Sequence, residues 1–326
     1  MITHPFNKFE YIVEDEFQLD RWPSLKVIPK RPIPLSDSFF HYYRLSNDNK
    51  DALLNNFIYA NHPFEFNDPF DCNRELISFE KATFEEVLAL NRNPSKPEFL
   101  QQLFYSKKKK DRTLLYDMLK YLVYNVIYMK TGIFCMSSKI DSLEMWSYYT
   151  NHRGFALEFD MQKLPTNYWG PFPINYTNNF KAIDYSIFKG LSFLYQSNIK
   201  AKCWEHENEW RIILYGPNMM KIPFKKYQDT HDRKFAYNQN AIKQIVLGFQ
   251  FFEIFEYIPN TEISDTYVIR LRKNKSLKRQ ILKYIISNEI PTSIISLKRK
   301  SSSKLKPRPV RMKILSPDKY QIKYVG

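Results

Sequence analysis

The stretch Glu207–Tyr215, ENEWRIILY, constrains this chain more than any other, because it places two carboxylates two residues apart at the mouth of a strand-like apolar run. Successive side chains of a strand point to opposite faces, so Glu207 and Glu209 are expected on one face and Trp210, Ile212 and Leu214 on the other, a core face. Two readings of the acidic pair follow. Either Glu209 is a strand-end carboxylate paired with Arg211 or a lysine, or it is a catalytic carboxylate with Glu207 beside it.

The 326 residues are 44% hydrophobic, with 23 Tyr, 26 Phe and 5 Trp, enough to bury a substantial core. Seven glycines and no GxGxxG or GxxxxGK[ST] pattern argue against Rossmann and P-loop nucleotide binding. Cys72, Cys135 and Cys203 form an odd, widely spaced set without a CxxC pair, so neither a disulfide scaffold nor a cysteine-rich zinc site is expected, and a reducing, cytoplasmic location is. The N-terminal residues lack a basic start followed by an apolar run, so no signal peptide is expected. The longest apolar helix, near 114–129, is interrupted by Asp117, Lys120 and Asn125 and reads as a core helix rather than a membrane span.

The spacing predicts three regions. Residues 1–38, rich in proline and mixed charge, read as an extended strap with little regular structure. Residues 39–274 read as the main domain, with strands at 39–46, 57–61, 131–138, 153–160, 207–215, 241–249 and 266–274 and a helical insertion at about 80–130. Within that insertion Thr83 with Glu86, and Ser95 with Glu98, have capping-box spacing. Further helices are expected at 141–149, 184–204 and near 251–257. Residues 275–326 read as an amphipathic helix followed by a basic, serine- and proline-broken tail. Strands and helices without regular βαβ alternation indicate an α+β fold.

Several motifs occur in a family order: YYRLS, FNDPFD, IFCMSS before an MW-centred helix, HRGFALEFD, WEHENEWR and IVLG. Over about residues 39–258 the chain resembles the bacterial family called domain of unknown function 2971. More distantly, it resembles the ADP-ribosyltransferase superfamily, whose split sheet clamps NAD. YYRLS is similar to that superfamily's first-strand pattern, which assigns Arg44 and Ser46 to dinucleotide binding, with His41 the alternative to Arg44. GIFCMSSKIDSLEMWSYY is similar to its strand-turn-helix flanking the nicotinamide, which points to Ser137 or Ser138 and to Tyr148 or Tyr149. NEW in ENEWR resembles the segment carrying the catalytic glutamate, here Glu209, with Glu207 completing an ExE pair. The resemblance implies a mixed split β-sheet and an NAD-using ADP-ribosyltransferase or NAD glycohydrolase, acting as a toxin or anti-phage effector. Breaking the bond between nicotinamide and ribose builds an oxocarbenium-like centre, which a carboxylate stabilises.

Other constellations compete. Asp68, Asp71 and Glu75 could ligate magnesium in a nuclease, but Asn67-Asp68-Pro69 reads first as a turn. Cys203 and His206 are half a zinc site without the other half, and no metal is expected. Trp146 and Trp204 read as core residues, and His152 and Arg153 as a turn.

From Arg270 onward, 17 Lys and Arg face two acids, Glu289 and Asp318, leaving 32 of each sign in residues 1–269. The basic excess of +15 is therefore confined to 270–326, where a solvated extension is the default and nucleic acid the expected partner; a protein acceptor is the other candidate. A non-enzymatic nucleic-acid- or partner-binding protein is the alternative function.

Overall fold

The computed structural model describes residues 1–14, 24–31, 37–91, 97–164, 168–216, 233–252, 256–259, 265–271, 276–297 and 305–325. Among the described residues, eleven strands form one mixed sheet. In spatial order they are Glu256–Pro259, Thr266–Arg270, Lys319–Tyr324, Leu305–Ser316, Thr292–Leu297, Ile242–Leu247, Phe155–Phe159, Phe39–Tyr43, Thr131–Ser137, Glu209–Tyr215 and Tyr168–Pro173. Neighbours run antiparallel except for Ile242–Leu247 with Thr292–Leu297, which are parallel. With helices distributed unevenly along the chain, this is an α+β architecture.

The central strands read as continuous apolar runs because both of their faces are covered. Phe155–Phe159, FALEF, is buried at all five positions. One face carries Phe39, Tyr43, Phe134, Leu157, Trp210, Ile212 and Leu214 into the main core, where helix Ser276–Ser287 contributes Ile281, Leu282 and Ile285. The opposite face is covered in two patches. Phe40, Tyr42 and Ala156 pack on Met145 and Trp146 of helix Leu143–Thr150, whereas Ile133 and Ile213 pack on Leu191, Phe193 and Leu194 of helix Gly190–Asn198. The expected core face of Glu209–Tyr215 is thus confirmed, and its other face is buried too.

The helical insertion forms as expected, with helices Phe84–Leu90, Pro97–Tyr105 and Lys109–Lys130 sharing a core of Val87, Leu100, Leu103, Leu115, Leu119 and Val123. Thr83 and Glu86 make the complete capping box. Ser95 lies outside the described residues. No helix among the described residues is long and apolar enough to cross a membrane.

Four expectations change. Residues 1–38 contain an antiparallel meander of Ile2–Phe6, Phe9–Val13 and Leu25–Pro29, whose Phe9, Tyr11 and Val13 are buried beside helix Gly190–Asn198. The alternation in FEYIV outweighs the prolines around it. The helix expected at 184–204 breaks at Lys189, whose φ is +39°, and ends at Asn198; Ile199–Ala201 then forms a short strand parallel to Asn175–Thr177. Near 251–257, the described residues 256–259 are a strand paired with Thr266–Arg270 rather than helix. Finally, the 274/275 boundary does not separate an appendage: helix Ser276–Ser287 packs on the main core, and Leu305–Ser316 and Lys319–Tyr324 insert between Thr292–Leu297 and Thr266–Arg270. Val310, Met312 and Ile322 alternate with charged or polar neighbours, the period-two pattern of a half-buried strand. Residues 298–304 of the tail lie outside the described residues.

Deletion of residues 305–326 removes the buried side chains Val310, Tyr320 and Ile322 and leaves two sheet edges unpaired. The expected outcome is aggregation, or a fall in Tm of about 10 °C or more, since each such side chain contributes about 2–5 kcal/mol. An unchanged Tm in a thermal melt would show the tail to be an appendage.

A candidate active site where the sheet parts

Strands Phe39–Tyr43 and Thr131–Ser137 are neighbours, yet they pair at a single position, Phe40 with Ser137. Beyond it they separate, and other groups take up the freed backbone. The His41 ring donates from Nδ1 to the Cys135 carbonyl at 2.6 Å. Ile133 exchanges both backbone hydrogen bonds with Asn61, each 2.9 Å. The segment carrying Asn61 therefore occupies the gap, and a cavity of about 370 Å³ opens beside it.

Seven of the nine residues expected at a site line this cavity: His41, Arg44, Ser137, Tyr148, Tyr149, Glu207 and Glu209. They come from four separated segments. Ser46 and Ser138 do not line it. Ser46 caps helix Asn47–Leu54 by accepting from the Asn49 amide, and Ser138 donates to the Asn208 carbonyl. Both are accounted for as structural residues.

Glu207 and Glu209 meet for a reason other than strand alternation. Glu207 ends the 3-10 turn Lys202–Glu207, Asn208 takes a left-handed conformation with φ +45°, and the strand begins only at Glu209. The two carboxylates converge on Lys200, whose Nζ lies 2.5 Å from Glu207 Oε2 and 2.9 Å from Glu209 Oε2. Arg211, two residues further along the same strand face, places Nε 2.7 Å from Glu209 Oε1. Its other nitrogens grip both oxygens of Asp71, at 2.8 and 2.5 Å, and the Ser197 carbonyl at 2.8 Å. All five side chains are at least 95% buried.

The electrostatics separate the two glutamates. Burial would raise the Glu209 carboxyl, but Arg211 and Lys200 overrule it and hold the group well below the usual carboxylate range. For Glu207, burial and the neighbouring Glu209 charge win over Lys200 and Tyr149, and its pKa is raised. Lys200 is raised because its carboxylate neighbours outweigh desolvation. Tyr149 donates to Glu207 Oε1 at 2.5 Å, and burial with that carboxylate pushes its own pKa up. Three carboxylates thus face two cations, and Glu207 is the member nearest to accepting a proton. Two acids driven apart by environment form the pattern used for acid–base chemistry.

The remaining expected residues take definite places. Arg44 is exposed at the rim, where Nη2 donates to the Tyr148 carbonyl at 3.1 Å. The Tyr148 ring is 60% exposed and lies edge-on to His206. Ser137 donates to the Glu207 carbonyl at 2.6 Å and accepts from the Lys139 amide, so it braces the turn that presents Glu207. Burial lowers the His41 pKa to about 4, leaving the ring neutral as a stand-in for strand pairing.

The carboxylates and the Cys203–His206 pair named in the metal readings have these partners. Asp71 gives both oxygens to Arg211, Glu75 pairs with Lys120, and Asp68 accepts from the Phe70 amide in the expected turn. His206 Nδ1 faces the Cys203 carbonyl rather than its thiol. Trp146 is fully buried and donates to the Ile140 carbonyl, whereas Trp204 is only half-buried, 5.2 Å from Lys200 Nζ. His152 and Arg153 form the turn ahead of Phe155–Phe159.

Sequence reasoning missed Lys200, which lay inside an expected helix, and Tyr176, whose hydroxyl accepts from the Glu209 amide at 2.8 Å. The only available signal for Lys200 was its closeness in sequence to two unexplained glutamates.

The geometry predicts opposite consequences for two isosteric changes. Glu209→Gln removes the carboxylate that bridges the buried Arg211 and Lys200 and is expected to cost about 3–5 kcal/mol at pH 7. Glu207→Gln removes the surplus charge and is expected to lie within about 1 kcal/mol of the wild type. Because the folded-state pKa of Glu207 is raised, its ionised form lowers stability as pH rises through that value. Any advantage of Glu207→Gln therefore shrinks to nothing on acidification. Denaturant unfolding of both variants from pH 4 to 8 checks this, and equal destabilisation would refute the division of roles. Comparison with known protein families, with curated proteins and with solved structures finds no match for this chain.

Proposed function

We propose that the cleft binds NAD and breaks its nicotinamide–ribose bond, in the manner of an ADP-ribosyltransferase or NAD glycohydrolase. The observation that carries this reading is the convergence of expected residues from four separated segments on one cavity at the point where the central sheet opens. A sheet that parts beside an ExE pair also supports an ADP-ribosyltransferase-like arrangement.

The roles differ from those expected. Glu209 is shared by two buried cations, Arg211 and Lys200, and anchors them, whereas Glu207 meets one cation, Lys200, and the neutral Tyr149 hydroxyl, which a substrate hydroxyl can replace. Glu207 takes the substrate-facing role. With Lys200 and Tyr149 fixing its orientation, it holds a ribose hydroxyl and offsets the positive charge that develops as nicotinamide leaves. Arg44 at the rim meets the pyrophosphate by charge-assisted hydrogen bonds, and the exposed ring of Tyr148 stacks on the nicotinamide. Ser137 acts through the turn that carries Glu207. Consumption of NAD fits a toxin or anti-phage effector.

Purified protein incubated with NAD is expected to release nicotinamide, and Glu207→Gln to reduce that rate at least about 100-fold without loss of fold. NAD is also expected to raise the Tm, because it binds only the folded state. No turnover and no stabilisation at millimolar NAD would overturn the proposal and leave the charge cluster as a structural device.

A further inference from the structure

Residues 305–325 carry six Lys and Arg against one acid, Asp318. They form two of the sheet's strands, and the strand register sorts their side chains. Val310 and Met312, paired with Tyr324 and Ile322, face the main core. Arg311 and Lys313 stand on the other face, opposite Lys323 and Gln321. The next strand continues this row, with Lys319 opposite Arg270 and Lys323 opposite Thr266. Arg311, Lys313, Lys319, Lys323 and Arg270 therefore share one face of three adjacent strands.

Arg311, Lys313 and Lys323 are exposed, and among the described residues none of these three lies within ion-pair distance of a carboxylate. Asp318 sits at the hairpin turn and reaches Arg270 at 3.8 Å. Like charges directly opposite each other destabilise a strand pair, so Arg311 across from Lys323 is a local cost with no folding benefit. A polyanion would relieve it. Neighbouring strands lie about 4.8 Å apart and same-face residues about 6.7 Å apart along a strand, giving a grid of cations on the scale of successive phosphates. Leu315 and Val325 are the large exposed apolar side chains beside this face among the described residues, too little to insert into a lipid surface.

Position adds a second argument. Ile295 pairs with Pro307, and it packs with Val246, Ala156, Phe40 and Tyr42 against helix Leu143–Thr150. Pro307, and with it Arg311 and Lys313, therefore lies on the same face of the sheet as Phe40 and Tyr42, which line the cleft. Five strand steps separate Leu305–Ser316 from Thr131–Ser137, about 24 Å at the usual spacing.

We infer that this basic face of Thr266–Arg270, Leu305–Ser316 and Lys319–Tyr324 docks the phosphate backbone of a nucleic acid on the cleft side of the sheet. Recognition is through phosphates and is independent of sequence. The docking does not require that the cleft use NAD.

The test is binding of the full chain to a labelled single-stranded 20-nucleotide RNA and to the same sequence as DNA, titrated with salt. Four to five phosphate contacts predict a log–log slope of about −3 to −4, or roughly 100-fold weaker binding at 200 than at 50 mM salt. The triple change Arg311→Gln, Lys313→Gln, Lys323→Gln should make the slope shallower by about 2 and weaken binding at least 10-fold at 50 mM salt. Its Tm should be unchanged or higher. A charge-matched control, Lys107→Gln, Lys109→Gln, Lys110→Gln, should retain wild-type affinity. Equal losses from both triples would show that net charge rather than this face is responsible, and would overturn the inference. So would binding to phosphatidylserine vesicles without binding to either oligonucleotide. Glu207→Gln should bind nucleic acid normally, so failure of the NAD reading and failure of this one are distinguishable.

Discussion

Arg211 is 1% exposed, and much of the architecture around the cleft follows from the need to satisfy it. A buried guanidinium without countercharge would cost several kcal/mol. Asp71 supplies a bidentate carboxylate from a loop 140 residues away in sequence, Glu209 supplies a second, and the Ser197 carbonyl takes one more donor. These contacts tie the loop that fills the parted sheet to the end of helix Gly190–Asn198 and to the strand below. Lys200 extends the chain of charge to Glu207. Once Asp71, Glu209, Arg211 and Lys200 are balanced, Glu207 is left over. The interaction that organises the fold thus also leaves a carboxylate with a raised proton affinity facing a cavity.

The opening beside it depends on a different economy of hydrogen bonds. Two adjacent strands can separate inside a protein only if the freed backbone groups find other partners. Here the Cys135 carbonyl is taken by His41, and the Ile133 amide and carbonyl by Asn61. His41 is stacked on Phe134 at 4.4 Å and is kept neutral by burial, so it substitutes for a backbone donor without introducing charge. The parting of the strands is therefore accommodated by hydrogen bonds within the fold itself.

What could be read from sequence was local. Continuous apolar runs such as FALEF and EWRIILY, and the reciprocal Thr83–Glu86 cap, are set by neighbours within a few residues, and they were legible. Candidate residues came from short motifs, and most of them met in space. The charge cluster was not legible, since Asp71 and Arg211 are joined only by the tertiary fold and FNDPFD looked sufficient as a turn. Lys200 was hidden because the helix containing it in the sequence reading stops at Asn198. In the tail, the density of positive charge masked a strand alternation visible in VRMKI and YQIKY. Composition spoke louder there than period, although period decides which side chains a sheet buries.

That last point changes what the basic excess means. Charges on a mobile tail can reach many geometries and specify none of them, whereas charges in register on three strands have fixed spacing and a fixed orientation relative to the rest of the sheet. Arg311 and Lys323 are held opposite each other because Val310, Met312 and Ile322 on the reverse face are needed in the core. The strand alternation that buries three apolar residues thus forces their cationic neighbours together on the cleft side. A sheet that continues unbroken from those strands to Phe40 makes the two regions parts of one continuous surface, so that whatever neutralises the cations is placed on the same side of the sheet as the cleft.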